Sequence, residues 1–251
     1  MDEQSQQRRI NILGVAVDDV TEDEAIARIA DFIATGGPHQ VVTVNPEFVM
    51  EARRNPAFRA VLAAADLATP DGFGLLLVAQ WRGTPFRGRV TGVDLVGRIA
   101  AEAAVCGWSL FLLGAAPGVA ERAAAALCRA HPGLRVVGCY AGSPHAADEP
   151  ALRTRIAEAR PDVLLVAYGH PAQDLWIARN QPYLRVPVAI GVGGAFDYLA
   201  GAVPRAPAWL RRLGLEWLYR LIRQPWRWRR ILDAVPLFLL AARRERSTDR
   251  R

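Results

Sequence analysis

The most constraining feature of this chain is a regular alternation of short apolar runs and helical patterns between residues 10 and 200. The runs are apolar at successive positions, which is typical of strands that are buried on both faces of a sheet. The runs are INILGVAV (10–17), QVVTVN (40–45), Leu67-Ala-Thr69, WSLFLLG (108–114), LRVVGCY (134–140), DVLLVAYG (162–169) and VPVAIGVG (186–193). Because helical patterns of about 10 to 15 residues separate most of them, consecutive strands can lie parallel with helices on either face. The sequence therefore predicts an α/β fold with a mostly parallel, Rossmann-like sheet flanked by helices.

Local signals mark the ends of several predicted helices. Thr21 and Glu24 have the spacing of a capping box. An Asn55-Pro56 pair separates two short helical patterns, and Pro117 fits the first turn of a later helix. The remaining helical patterns span residues 93–105, 149–160 and 171–181, and residues 207–242 are expected to be wholly helical.

Charge divides the chain into two parts. The whole chain has 31 basic residues, all of them Arg, and 25 acidic residues, which gives a net charge of +6. Residues 205–251 carry 13 Arg against four acidic residues, a balance of +9, and residues 1–204 carry −3. We therefore predict an α/β domain over 1–204 and a basic helical appendage over 205–251. The absence of Lys indicates coding bias, so a single Arg is weak evidence of function.

Composition excludes several classes of protein. With 51% apolar and 22% charged residues the chain is not disordered. Residues 1–9 lack the apolar stretch of a signal peptide, and no apolar run reaches the ~20 residues that span a bilayer. Three cysteines without CxxC spacing and four scattered histidines predict neither a disulfide framework nor a metal site. We expect a cytoplasmic protein with reduced thiols and no cofactor.

The basic appendage also contains four of the seven Trp residues. Polar and aromatic residues recur in it at spacings of three and four, which places them along one side of the helices: Trp217, Arg220, Arg223, Gln224, Arg227 and Arg230. A solvated helix face is the plainest interpretation, and nucleic acid is a rival partner because Arg and aromatic rings bind phosphates and bases. An anionic membrane surface fits better, since Trp favours the headgroup layer and Arg favours anionic lipid. We expect a peripheral protein on the inner face of the cell membrane that does not bind nucleic acid.

Polar side chains and glycines gather where the predicted strands end, the position at which parallel sheets bind ligands. These residues are Thr43, Asn45, Asp71, Gly114, Tyr168, Gly169, Gly191 and Gly193, with Asp197 shortly after. Thr43 and Asn45 lie on one face of their strand because they are two positions apart. Asp71 belongs to a Pro-Asp-Gly triplet, which is usually a plain turn, but a carboxylate held there could act as a general base.

The glycine loops at 114–118 and 191–197 let the backbone approach a ligand, and together they favour a nucleotide site, although each alone is more often an ordinary turn. Arg89 lies in a glycine-flanked loop and is either solvated or a phosphate ligand. Gln173 lies in the first turn of a helix, where an amide can bind a sugar hydroxyl. His170, next to Pro171, is expected to be exposed rather than a base.

Seven ordered blocks together resemble the WecG/TagA/CpsF family of bacterial glycosyltransferases over about residues 11 to 240. The blocks are Thr43-Val-Asn-Pro-Glu47, Thr69-Pro-Asp-Gly72, Arg89-Val-Thr-Gly-Val-Asp94, Gly169-x-Pro-x-Gln173-Asp-x-Trp176, Gly191-Val-Gly-Gly-Ala-Phe-Asp197, Arg205-Ala-Pro207 and Leu215-Glu-Trp-x-x-Arg220. The resemblance implies an inverting, metal-independent transferase that moves a sugar from a UDP-sugar to a polyprenyl-diphosphate-linked acceptor during synthesis of a surface polysaccharide. The sugar implied is N-acetylmannosamine or its uronic acid, and the acceptor is GlcNAc-diphospho-undecaprenol.

The resemblance also assigns roles. Asp71 matches the catalytic base, and Thr43, Asn45, Arg89 and Gln173 match active-site positions. Asp197 lies in the block that meets the nucleotide. The appendage corresponds to a segment that contacts the membrane and supplies arginines to the active site, and the matching positions are Arg220, Arg227 and Arg230. Because members of the family self-associate, a homo-oligomer is also expected.

Two other functions stay open at this point. A nucleotide-dependent oxidoreductase would share the doubly wound sheet, but it needs a GxGxxG turn after the first strand, where this chain has Val15-Ala-Val-Asp18. A non-catalytic membrane-binding protein would depend on the appendage alone. Substitution of Asp71 would distinguish an enzyme from a binding protein.

Overall fold

Strands and helices alternate along the described chain. The computed structural model describes residues 8–207, 209–210, 214–223, 225, 228, 231 and 233–248, with the backbone alone for 220, 233–234 and 246–248. The strands are β1 (Arg9–Ile12), β2 (Val15–Asp18), β3 (His39–Val44), β4 (Leu67–Pro70), β5 (Ser109–Gly114), β6 (Arg135–Tyr140), β7 (Val163–Ala167) and β8 (Val188–Gly191). The helices are α1 (Glu22–Thr35), α2 (Pro46–Arg54), α3 (Pro56–Ala64), α4 (Phe73–Trp81), α5 (Gly92–Cys106), α6 (Val119–Ala130), α7 (Glu149–Ala159), α8 (Ala172–Leu184), α9 (Ala195–Leu199), α10 (Glu216–Arg223) and α11 (Phe238–Thr248).

Strands β3 to β8 form one six-stranded sheet in the order β4-β3-β8-β7-β5-β6. Every neighbouring pair in this sheet is parallel. The predicted α/β fold with a parallel sheet is therefore confirmed. All the apolar runs beyond residue 40 supply its strands, as expected for strands that are covered on both faces.

The first apolar run does not join this sheet, so its assignment as a single strand is wrong. It folds into an antiparallel hairpin, β1 with β2, in which Ile12 pairs with Val15. The two residues of the turn, Leu13 and Gly14, both have positive φ (53° and 85°). This is the geometry of a two-residue hairpin turn that matches the twist of the strands. The sequence did not indicate this turn because its first position is usually Asn or Asp, whereas this chain has an apolar Leu there.

The helices form where their caps predict. Thr21 caps α1 in a complete capping box with Glu24, an arrangement that typically contributes about 1 kcal/mol. Asn45 and Asn55 cap α2 and α3, and each is followed by a Pro in the first helical turn. Helix α4 was not anticipated, since its nine residues are mostly apolar and show no helical periodicity.

Two layers of helices cover the sheet. Alternate side chains of β3 enter opposite cores, with Val41 in one and Val42 in the other. Helices α1, α5, α6 and α9 pack on the first face, and α2, α3, α4, α7, α8 and α11 pack on the second. Because β3 leads into α2 and the adjacent β8 leads into α9, the chain leaves these strands toward opposite faces. That divergence opens a crevice beyond their carboxyl ends.

The residues after 204 pack on the α/β body where the structure describes them. Phe238 is fully buried and Ala242 nearly so, in the core that also contains residues of α2 and α4. The prediction that residues 207–242 are wholly helical is wrong at Gly214, a turn residue with a positive φ of 73° that precedes α10. Helix α11 also extends past 242. Within the described residues, no helix is both long enough and apolar enough to cross a bilayer.

Candidate active site

A polar cavity of about 270 Å³ occupies the crevice beyond β3 and β8. Most of the residues that the sequence singles out line it, as predicted from their positions at strand ends: Thr43, Asn45, Asp71, Tyr168, Gly169, Gln173, Gly193 and Asp197. Residues that are distant in sequence therefore converge on one cavity.

Asp71 is fixed by backbone contacts on both sides. Its N–H donates to the carbonyl of Val44 at 2.7 Å, and its Oδ2 accepts from the N–H of Gly92 at 3.2 Å. Gly92 is the first residue of α5, so the carboxylate lies at a helix N-terminus, where the helix dipole favours a negative charge. The Pro-Asp-Gly triplet is thus more than a turn, because it directs a carboxylate into the cavity.

Thr43 and Asn45 face the same cavity but are partly engaged by the fold. The Thr43 hydroxyl donates to the carbonyl of Gly191 at 3.2 Å. The Asn45 side-chain oxygen accepts from the N–H of Phe48 at 3.1 Å as the cap of α2. These bonds leave the lone pairs of the hydroxyl and the amide nitrogen of Asn45 as the groups able to meet a ligand.

Gln173 links the two glycine loops instead of projecting freely. Its Oε1 accepts from the N–H of Gly169 at 3.2 Å and from the N–H of Gly193 at 2.9 Å. The residue is almost completely buried, at 1% exposure. One side-chain oxygen therefore holds the loop after β7 against the loop after β8, and the expected bond to a sugar hydroxyl has to compete with these two.

Asp174, the residue after Gln173, is fully buried. Burial raises the pKa of its carboxyl group to about 7, and the adjacent Gln173 amide opposes this only in part. Neither carboxylate oxygen has a hydrogen bond of normal geometry among the described residues. A Cβ at Gly191 would lie 2.4 Å from Asp174 Oδ1 and 2.6 Å from Gln173 Nε2, so this position requires glycine for space.

Two of the predicted nucleotide-binding glycines, Gly114 and Gly191, line neither this cavity nor the one described below. A Cβ at Gly114 would come within 2.8 Å of the backbone of Ala167, so its glycine permits close approach of β5 and β7. Tyr168 lies at the cavity wall, where burial raises the pKa of its hydroxyl and no described residue bonds to it.

A second cavity of about 320 Å³, which we call the apolar cavity, adjoins the polar cavity. Apolar residues of α4 and of the segment after 213 line much of it: Phe73, Leu77, Leu215, Trp217, Ile231, Val235 and Leu239. Arg89 also lines it, and no described residue forms a hydrogen bond or ion pair with the Arg89 guanidinium. Asn45, Glu47 and Asp71 line both cavities. The Asp71 carboxylate therefore stands between a polar and an apolar compartment.

His170 is the main cavity residue that the sequence analysis misjudged. Its side chain is 14% exposed, with Nε2 3.5 Å from Glu47 Oε2. Its ring stacks on Phe48 at a centroid distance of 5.0 Å. The expectation of an exposed loop histidine is wrong because α2, which carries both partners, packs beside the loop. His170 directly follows Gly169, which the sequence had placed at the end of a strand, and this proximity could have indicated its position in the cavity.

The structure does not test the predicted roles of three arginines of the appendage. Arg227 and Arg230 lie outside the described residues, and of Arg220 only the helical backbone is described. The described residues include no group of three or more His, Cys, Asp or Glu side chains arranged to hold a metal ion.

Comparison with known proteins gives a consistent family. A model of the family described as "Glycosyl transferase WecG/TagA/CpsF family" matches residues 10–251. Among curated relatives, a protein of Bacillus spizizenii (strain ATCC 23059 / NRRL B-14472 / W23) is 37% identical over 80% of this chain and 77% of its own length. One of Bacillus subtilis (strain 168) is 33% identical over 82% and 79%. One of Staphylococcus aureus (strain MW2) is 31% identical over 95% and 94%. All three are named N-acetylglucosaminyldiphosphoundecaprenol N-acetyl-beta-D-mannosaminyltransferase.

Proposed function

The chain belongs to the WecG/TagA/CpsF family of glycosyl transferases, and from that premise we propose a specific reaction for it. It transfers N-acetylmannosamine, or a related hexose or uronic acid, from a UDP-sugar to a sugar linked to polyprenyl diphosphate. The names of the relatives support both the sugar and the lipid-linked acceptor. The observation that carries the proposal is the position of Asp71 in the wall shared by the two cavities.

The two cavities differ as the two substrates differ. The polar cavity offers backbone N–H groups, hydroxyls and amides, which suit the sugar and nucleotide of the donor. The apolar cavity suits a lipid-linked acceptor, with Arg89 at its wall to meet the diphosphate. The acceptor sugar then reaches Asp71 from one side and the donor sugar reaches it from the other.

In this arrangement Asp71 acts as the general base. Its carboxylate takes the proton of the acceptor hydroxyl as the oxygen attacks the anomeric carbon of the donor. The bond from that carbon to the diphosphate breaks on the opposite face, so the configuration inverts and UDP leaves. The hydrogen bond from the N–H of Gly92 holds Oδ2 of this carboxylate in place at the cavity wall.

Charge on the departing diphosphate has to be stabilised, and we propose that arginines do this without a resident metal ion. Arg89 is the described candidate. Arg220, Arg227 and Arg230 are the further candidates that the resemblance implies.

We also propose that the protein contacts an anionic membrane surface, where a polyprenyl acceptor resides. Leu237 and Leu240 of the segment around α11 are exposed. They border a groove of about 890 Å³ that reaches the hairpin turn at Leu13. Four arginines rim this groove: Arg53, Arg54, Arg59 and Arg244. Apolar side chains surrounded by arginines are the combination that binds the interface of anionic lipid.

The direct test is turnover of a panel of UDP-sugars with a short-chain polyprenyl-diphosphate N-acetylglucosamine acceptor. We expect UDP release to be coupled to a lipid-linked disaccharide, with UDP-N-acetylmannosamine among the best donors. The anomeric configuration of the product, measured by NMR, should be opposite to that of the donor. The absence of a lipid-linked product with every UDP-sugar, or retention of configuration, would contradict the proposal.

A further inference from the structure

Two residues of the matched sequence blocks that have no role in the proposed reaction, Asp94 and Arg205, meet in the structure. Arg205 Nη1 lies 2.6 Å from Asp94 Oδ1, and Nη2 lies 2.8 Å from Oδ2. This is a bidentate pairing, the strongest geometry for an Arg and a carboxylate. The Arg205 side chain is only 25% exposed. Neither residue lines the polar or the apolar cavity, so the pair does not act as part of their walls.

The pair is connected to Asp71 through the first turn of α5. The Thr91 hydroxyl, which caps this helix, donates to Asp94 Oδ2 at 2.7 Å and accepts from the Asp94 N–H at 3.2 Å. The N–H of Gly92, between them, donates to Asp71 at 3.2 Å. The same helical turn therefore holds the carboxylate of Asp71 and the partner of Arg205.

Electrostatics connect the same residues. The hydrogen bonds from Arg205 to Asp94 are the largest cause of the raised pKa of the Arg205 guanidinium, and the charges of Glu216 and Asp71 add to it. The guanidinium thus lies within electrostatic reach of Asp71 but is directed toward Asp94. The positive charge of the guanidinium offsets the negative charge of the acidic side chains around Asp71.

The backbone beside Arg205 is also fixed. The N–H groups of Ala202 and Val203 donate to the carbonyl of Asp197 at 2.9 and 3.1 Å. Val203 lines the polar cavity and Ala206 is buried. Because the backbone is held on both sides of residue 205, the Arg205 side chain stays beside the first turn of α5.

We infer that the Arg205–Asp94 ion pair is a positioning pair for the catalytic base. It holds the first turn of α5, to which Asp71 is bonded, and it sets the charge that surrounds the Asp71 carboxylate. Asp94 keeps the guanidinium from pairing with Asp71, and Arg205 offsets the negative charge of Asp94. The inference rests on the proposed function, in which Asp71 is the base.

Other acidic, basic and imidazole groups line the two cavities around Asp71. Among the described residues they are Glu47, Arg89, His170, Asp197 and Glu216. Substitutions at Arg205 and Asp94 leave all of these in place, so Arg205→Gln and Asp94→Asn each remove only one charge from the surroundings of the base.

The test is the pH dependence of kcat/KM for Arg205→Gln, Asp94→Asn and Arg205→Lys, measured with the full chain and the best UDP-sugar. Loss of the cation in Arg205→Gln should move the midpoint of the acidic limb upward by about one pH unit. Loss of the anion in Asp94→Asn, which also frees the guanidinium to approach Asp71, should move it downward. Arg205→Lys keeps the charge, so its midpoint should stay near that of the native protein while kcat falls.

Arg98→Gln is the matched control, because Arg98 lies on the same helix and pairs with Asp23 at 2.7 Å on the exposed surface. Its midpoint should not move. Active variants with unchanged midpoints, or with shifts in the same direction, would overturn the positioning role. If Arg205→Gln does not fold, Asp94→Asn alone decides the test. An acidic-limb midpoint for Asp94→Asn that does not move downward would then overturn the positioning role. An inactive native protein or a fully active Asp71→Asn variant would instead overturn the proposed function.

Discussion

The Oδ2 atom of Asp71 accepts a hydrogen bond of 3.2 Å from the N–H of Gly92, the first residue of α5. A loop carboxylate thereby gains the rigidity of a 15-residue helix. In the proposed reaction, this bond would hold a residue of a short turn accurately enough for proton transfer.

Replacing Asp71 with Asn should preserve this bond, because the amide oxygen can accept it, while removing the base. We expect turnover to fall by about 10² to 10⁴-fold, the usual contribution of a general base. Binding of the UDP-sugar, measured by calorimetry, should change only a few-fold. Asp31→Asn, at an exposed position of α1, is the control and should be fully active. A nearly normal turnover for Asp71→Asn would refute the assignment.

Gln173→Ala should reduce stability as well as activity. Two partly buried N–H groups, those of Gly169 and Gly193, lose their acceptor, and the loss of a hydrogen bond costs about 0.5 to 1.5 kcal/mol each. Urea unfolding should report a loss of that size, and Gln80→Ala, on the exposed surface of α4, should report almost none. A raised KM for the donor with unchanged stability would mean that Gln173 is a direct ligand and not a link between the loops.

Gly191→Ala should be strongly destabilising because its methyl group would overlap Asp174 and Gln173. Its φ lies outside the left-handed region, so space alone is responsible. Gly97→Ala is the matched control, since a Cβ there meets nothing within 4 Å and Ala favours the interior of α5. Melting temperatures should fall for the first variant and stay equal or rise for the second. A melting temperature for Gly191→Ala equal to that of the native protein would show that the loops after β7 and β8 accommodate the methyl group without loss of stability.

Asp174 should make stability depend on pH. Its folded-state pKa of about 7 lies above the unfolded value, so its contribution is fully retained below the unfolded pKa and is lost as pH rises toward 7. Relative to Asp174→Asn, the native protein should lose about 2 to 3 kcal/mol of unfolding free energy between pH 5 and pH 8. Urea titrations of both proteins at the two pH values measure this difference directly. A constant difference would show that the carboxyl group titrates normally.

The sequence predicted the sheet well because strands that are buried on both faces leave a strong and local apolar signal. It also predicted that residues at the ends of β3, β4, β7 and β8 line the polar cavity, but it wrongly included Gly114 at the end of β5. It did not predict the hairpin, whose Leu13-Gly14 turn lacks a polar residue. Nor could it predict contacts such as Gln173 to Gly193 or Arg205 to Asp94, since these depend on how distant loops pack and not on local pattern. The cavity position of His170 depends in the same way on α2.

Membrane contact is better tested by point substitution than by removing residues 205–251, because Phe238 and Ala242 belong to the core. Leu240, 52% exposed on α11, should be replaced by Glu. Loss of its apolar contact should weaken co-sedimentation with phosphatidylglycerol vesicles roughly tenfold or more.

Val105→Glu is the control for this prediction. Val105 is 83% exposed on α5, which packs on the opposite face of the sheet. Vesicle binding of this variant should match that of the native protein, and added salt should weaken binding of both by screening. If Leu240→Glu sediments like the control, the membrane contacts a different surface.

The burial of Phe238 has a consequence for how the protein is made. Its ring lies 3.5 Å from the position that a Cβ would take at Gly74, so two segments far apart in the chain complete one patch of core. During synthesis the whole sheet leaves the ribosome before Phe238 does. Until residue 238 emerges, the apolar site next to Gly74 is exposed to water. Chaperone protection during synthesis should therefore matter most in that interval, and a transplanted appendage from a relative would succeed only if it brought an aromatic ring to the same site.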